Sequence, residues 1–159
     1  MMGCMSSPDP AAELAAIFTV DVTVADPSGC AVVLGATRRL RGFIDQVEAG
    51  VTRRMIELHE QQGAAPAADV HARTGGVSSA EGKRKERRSK TLDEAPSFED
   101  ALGAGEIGAE HVDALANATA KLDDDVKDQL LDREADLLDD AMRLSPEEFG
   151  RSVRDLARA

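Results

Sequence analysis

The chain has 159 residues, which is enough for one domain with a sizeable core, or for one domain and a tail. Thirty Asp and Glu against 19 Lys and Arg give a net charge of −11, so the overall field repels phosphate and any nucleic-acid contact must be local. With four Phe, no Tyr and no Trp, the core must come from Leu, Val, Ile, Met and Ala, and the scarcity counts against a module that stacks single-stranded bases on aromatic platforms.

Cys4 and Cys30 lie far apart, and no His falls at zinc-ligand spacing. Neither a disulfide framework nor a zinc site is indicated, and no metal or cofactor is expected. No Lys or Arg precedes Arg38, so the basic start of a signal peptide is missing, and the apolar runs fall short of the roughly 20 residues that span a bilayer. A soluble, cytoplasmic protein with no membrane partner is expected.

Residues 1–30 are rich in Met, Gly, Ser and Pro at their start and later alternate over Phe18–Val24; a lone strand has no partner, so this segment is expected to be a poorly ordered leader. From about Val32 to Gln62 the apolar positions Leu40, Phe43, Ile44, Val47, Val51, Met55 and Leu58 recur at steps of three and four. This spacing predicts one long helix that buries a single stripe in the core or in a dimer. Gly63–Pro66 ends it, and a short helix over about 67–72 follows.

A basic helix is predicted over about Ser79–Leu92, then a turn at Pro96, a short helix over Phe98–Leu102, and a helix from about Ala109 to Leu122. Residues 124–144 read as one helix with a broad apolar face. Ser145-Pro-Glu-Glu148 is a capping box with Pro at the first helical position, so a last helix starts there.

Charge is unevenly spread. Residues 71–92 carry seven bases against Glu81 and Glu86, a local balance of +5, while the rest of the chain stands at −16. Lys83, Arg84, Arg87, Arg88 and Lys90 are therefore the candidate contacts to a nucleic-acid backbone, on one of two short helices joined by turns in the manner of a helix-turn-helix. The competing readings are a solvated face, or a face neutralised by the acidic helix, where residues 123–140 hold nine Asp and Glu against Lys127 and Arg133. His59, His71 and His111 stand singly, so a catalytic role is not indicated; Asp123-Asp-Asp125 suits a helix N-terminus better than a cation site.

The succession Thr74-Gly-Gly-Val-Ser78, Glu81, Leu92, Pro96, Ala101-Leu-Gly-Ala-Gly-Glu-Ile107 and His111-Val-x-Ala-Leu115, followed by an acidic Leu-rich helix and Leu144-Ser-Pro-Glu-Glu-Phe149, resembles domain of unknown function 222 over roughly residues 32–159. The resemblance implies an all-helical domain that in actinobacteria commonly precedes a metal-dependent HNH endonuclease-like region, often in multicopy repeat families. The residues of such a nuclease are not in this sequence, so the chain is expected to be the non-catalytic region alone, cut short at its C-terminal end. The Gly-Val-Ser helix is similar, more loosely, to the helix-turn-helix core of ParB-type partition proteins. The family pattern places small or apolar residues where this chain has Gly82, Lys85, Ser89 and Leu92. The basic helix is therefore expected to be less firmly docked, with Lys85 reaching out to water.

These readings converge on an all-α, multi-helix domain over 31–159 with a long N-terminal helix and a helix-turn-helix-like centre. The function expected first is a non-catalytic accessory module that binds or positions double-stranded DNA through the basic helix. The alternatives are a helical interaction or homo-oligomerisation domain indifferent to DNA, and a fragment of a full HNH endonuclease.

Overall fold

Helix starts follow from local chemistry. In the computed structural model, which describes residues 9–158, Asp9 accepts the Ala11 N–H at 3.0 Å and Pro10 takes the first helical position, which opens α1 (Pro10–Thr19). Asp26 and Pro27 repeat the device, with the Gly29 N–H at 2.7 Å, to open α2 (Pro27–Gln62). Gly63, at φ 66° in the left-handed region, ends it. With 36 residues α2 is about 54 Å long.

The leader expected over 1–30 thus contains, in its described part, α1 and the first turn of α2; residues 1–8, Cys4 among them, and Ala159 lie outside the described residues. The alternating stretch Phe18–Val24 is the end of α1 and a turn. Asp21 Oδ1 accepts the Thr23 N–H at 3.0 Å and its hydroxyl at 2.6 Å, a local turn that alternation of Val and Thr conceals. A two-pronged pair between Glu13 and Arg39, at 2.8 and 2.9 Å, holds α1 against α2.

The remaining elements are α3 (Ala67–Thr74), α4 (Ser79–Glu94), α5 (Pro96–Ala104), α6 (Ala109–Thr119), α7 (Asp124–Leu131), α8 (Glu134–Arg143) and α9 (Pro146–Leu156). The all-helical architecture read from the sequence is the one observed, with no strand among the described residues. No helix of the described residues is long and apolar enough to cross a membrane. Ser145 and Glu148 form the expected capping box, the carboxylate accepting the Ser145 N–H at 3.0 Å.

Leu92, Phe98, Leu102, Ile107, Val112, Leu115, Leu137, Phe149 and Val153 are the fully buried centre, supplied by α4, α5, α6, α8, α9 and the α5–α6 turn. The rings of Phe98 and Phe149 stand 6.0 Å apart at its middle. Residues 124–144 are two helices, not one. Leu130, Leu137 and Ala141 are buried as the broad face requires, but the chain turns at Asp132–Arg133 with no Gly or Pro to mark it. The turn brings Glu134 to the start of α5, where its carboxylate accepts the Ser97 N–H at 2.7 Å.

Of the two places expected for the α2 stripe, the domain's own core is not the one observed. The side of α2 facing the domain holds Gly42, Ala49 and Thr52, against α5, α4 and α3, while Ile44, Val47 and Val51 are 54%, 49% and 53% exposed. Close packing decides this. A Cβ on Gly42 would stand 2.1 Å from the Leu102 carbonyl oxygen, and one on Gly105, itself at φ 73°, 2.7 Å from the Arg39 Cα. Only small residues let α2 lie this close to α5, so the helix packs by its small face and turns its large apolar stripe outward.

Candidate nucleic-acid interface

Two short helices and a four-residue turn build the centre of the candidate site. α3 ends at Thr74, residues 75–78 form the turn, and the Ser78 hydroxyl accepts the Glu81 N–H at 3.1 Å to start α4. Pro66 gives α3 no side-chain cap; Glu86 reaches across from α4 instead, its carboxylate accepting the Ala68 N–H at 2.7 Å. Gly82 makes the approach possible, since a Cβ there would stand 2.5 Å from the Ala68 carbonyl oxygen.

This arrangement corrects the expectation of a loosely docked α4. Gly82 permits tight α3–α4 packing, Ser89 is buried and donates to the Ala49 carbonyl at 2.9 Å, and Leu92 is fully buried. Lys85 does not extend freely into water: its side chain is only 15% exposed and its ammonium pairs with Glu48 of α2.

The five basic candidates divide. Arg88 turns inward, only 7% exposed, and clasps Asp113 of α6 with Nε to Oδ1 at 2.9 Å and Nη2 to Oδ2 at 2.7 Å. Burial opposes its charge, yet the Asp113 hydrogen bonds, with Asp45 and Glu81 nearby, raise its pKa and keep it ionised. Arg84 is half exposed and shared between Glu81 and, at 3.7 Å, Asp113. Arg87 is exposed and donates to the Asn117 Oδ1 at 3.2 Å. Lys83 and Lys90 are exposed and enter no ion pair among the described residues. Lys83, Arg87 and Lys90, at steps of four and three, make one outward stripe.

The acids that meet α4 are Glu48 on α2, Asp113 on α6 and its own Glu81, not those of residues 123–140. The pair that joins α4 to the acidic region has the opposite polarity, Lys127 to Glu94 at 2.6 Å. Neutralisation by the acidic helix is thus not how the described residues are arranged.

Sequence reasoning missed Arg151 and Arg154. Asn117, held by Arg87, lines a groove between α6 and α9 with these two exposed arginines and Glu147. Some sixty residues separate α4 from α9, so no spacing could have paired them.

Each histidine has a structural assignment. His111 Nδ1 accepts the Gly108 N–H at 3.2 Å and its Nε2–H donates to the Leu144 carbonyl at 3.1 Å, which ties the start of α6 to the end of α8. Thr52 gives its hydroxyl proton to the Glu48 carbonyl at 2.7 Å, so His71 Nε2–H is the donor in their 2.8 Å contact. His59 Nδ1–H caps the end of α2 through the Ala64 carbonyl at 2.5 Å. Among the described residues no three His, Cys, Asp or Glu gather as a metal site would require.

A family model described as "Domain of unknown function (DUF222)" matches residues 31–159. No curated protein matches the chain. No solved structure matches it either.

Proposed function

Because the chain belongs to the DUF222 family, whose description assigns no role, we propose one from geometry: a non-catalytic helical domain that contacts the backbone of double-stranded DNA through the outer face of α4. The observation that carries this reading is the stripe Lys83, Arg87 and Lys90. It is left facing solvent after the domain's own acids have taken Lys85 and Arg88, in a chain whose net charge is −11. Arg84 stands at its edge, and Arg151 and Arg154 extend it across Asn117. A few cations on one helix supply contacts that do not read sequence, so the domain's work is to hold or position a duplex. An HNH nuclease region joined to it in a longer protein, working in the cytoplasm, is the setting this reading takes, and catalysis would reside in that region.

The test is binding of a labelled random-sequence duplex to the full chain and to the triple variant Lys83→Glu/Arg87→Glu/Lys90→Glu, with folding checked by circular dichroism. Loss of binding in the folded variant supports the reading. Equal binding by both, or none by either, overturns it. The alternative, a protein-interaction domain, is favoured by a separate observation, the outward apolar stripe of α2.

A further inference from the structure

We infer that the outer face of α2 is a self-association seam, and that its partner is α2 of a second copy of this chain. Ile44, Val47 and Val51 are each about half exposed, although the domain's interior buries Leu, Ile and Phe completely. With Phe43 and Met55 of α2 and Val70 of α3, they wall an open groove of about 360 Å³, room for side chains from a facing helix.

Spacing identifies the kind of partner. Thr37, Leu40, Ile44, Val47 and Val51 follow one another at steps of three, four, three and four, and Leu58 stands seven beyond Val51. A step averaging 3.5 is the period of a coiled-coil seam; a stripe shaped for a globular core follows 3.6. One seam position holds β-branched Ile44 and Val51, as suits two strands, while the other holds Leu40 and then β-branched Val47. Arg54 interrupts the series, and Met55 beside it lines the groove.

Length identifies the occupant. The seam from Thr37 to Leu58 runs about 33 Å, and a seam of three heptads needs a helix of equal length and period. Among the described helices the next longest, α4, has 16 residues and is packed into its own domain. Of the described helices, only another α2 matches. Charge permits the encounter: residues 33–58 carry five Arg against Asp45, Glu48 and Glu57, so two copies meet along a segment free of the chain's general negative charge. The inference is independent of the DNA reading, since the α4 stripe lies on another helix.

Sedimentation of the full chain over a wide concentration range tests it, beside Val47→Asp and the control Val24→Asp, which places the same charge on an exposed valine outside the seam. The expected result is a concentration-dependent mass of twice the monomer for the wild type and the control. Val47→Asp, with unchanged helical circular dichroism, is expected to dissociate at about hundredfold higher concentration. A wild type that stays monomeric, or a dimer indifferent to Val47→Asp, overturns the proposal. If Val47→Asp fails to fold, Val51→Lys, also at a half-exposed seam position, is read by the same two outcomes.

Discussion

Arg88 and Asp113 lie side by side in the interior, two nitrogens of one against two oxygens of the other at 2.9 and 2.7 Å, and so fasten α4 to α6. The fork geometry fixes both distance and rotation between the helices, which a single lysine charge could not do. The same pair removes one of five bases from the surface and leaves its neighbours to define the outward stripe. Asp113→Ala would strand a buried guanidinium and is expected to cost about 3 kcal/mol in urea unfolding. Arg88→Met combined with Asp113→Leu is expected to cost less than the sum of the single changes; additivity would show that the two act independently.

Glycines in α4 and α2 are expected to respond with opposite signs. Gly82→Ala improves helix propensity by about 1 kcal/mol but drives a methyl against the Ala68 carbonyl, so a net loss of about 1 to 3 kcal/mol is expected. Gly50→Ala meets nothing within 4 Å and is expected to gain about 0.5 to 1 kcal/mol. Thermal unfolding of the two variants decides the point. A stabilised Gly82→Ala would mean that α3 and α4 are not in close contact.

The period of α2 was legible in the sequence, but its direction was not. A stripe of Leu, Ile and Val announces an apolar face without saying what covers it, whereas the inner face is chosen by steric room beside Leu102 and Gly105, residues about sixty positions away. The capping box of Ser145 and Glu148 was legible because it acts within one turn of chain, whereas Pro96, expected in a turn, is the first residue of α5. The break at Asp132–Arg133 has no local mark, and the contact it sets up, Glu134 with the Ser97 N–H, joins residues far apart in sequence. In the candidate site, the basic cluster on α4 was visible as charge. Which members face inward depends on Asp113 and Glu48, which only the folded chain brings near.

His111 is expected to be structural. Replacement by Ala leaves the Gly108 N–H and the Leu144 carbonyl without their partner, at a cost of about 1 to 3 kcal/mol. Nitrogen chemical shifts are expected to report the tautomer protonated at Nε2. The opposite tautomer would contradict the bridge between α6 and α8.

Asp45 gives stability a pH dependence of defined sign. Burial raises its carboxyl above the ordinary 3.8; Arg88 and Lys85 draw it down in part, and Glu48 and Asp113 push it further up. The folded protein therefore binds this proton more tightly than the unfolded chain, and ionised Asp45 opposes folding. Its contribution is gained as pH falls through the raised value toward 3.8 and is absent at neutral pH. Asp45→Asn is expected to be at least as stable as the wild type at pH 7, an advantage that fades by about pH 4 in urea titrations. A variant less stable at pH 7 would show that the pull of Arg88 outweighs burial.

The salt dependence of duplex binding tests the account most directly, because it counts phosphates and can be compared between outward and inward bases. For the wild-type chain the plot of log affinity against log salt is expected to have a slope of roughly −3 to −5, from about one counterion released for each of Lys83, Arg87 and Lys90 and for Arg151 and Arg154 beside them. Lys83→Glu/Arg87→Glu/Lys90→Glu is expected to abolish binding. Arg88→Met, measured where it is still folded, is expected to keep the wild-type slope. No binding at low salt, or a slope that falls with Arg88→Met as it does with the outer residues, would contradict the division of α4 into an inner structural face and an outer contact face.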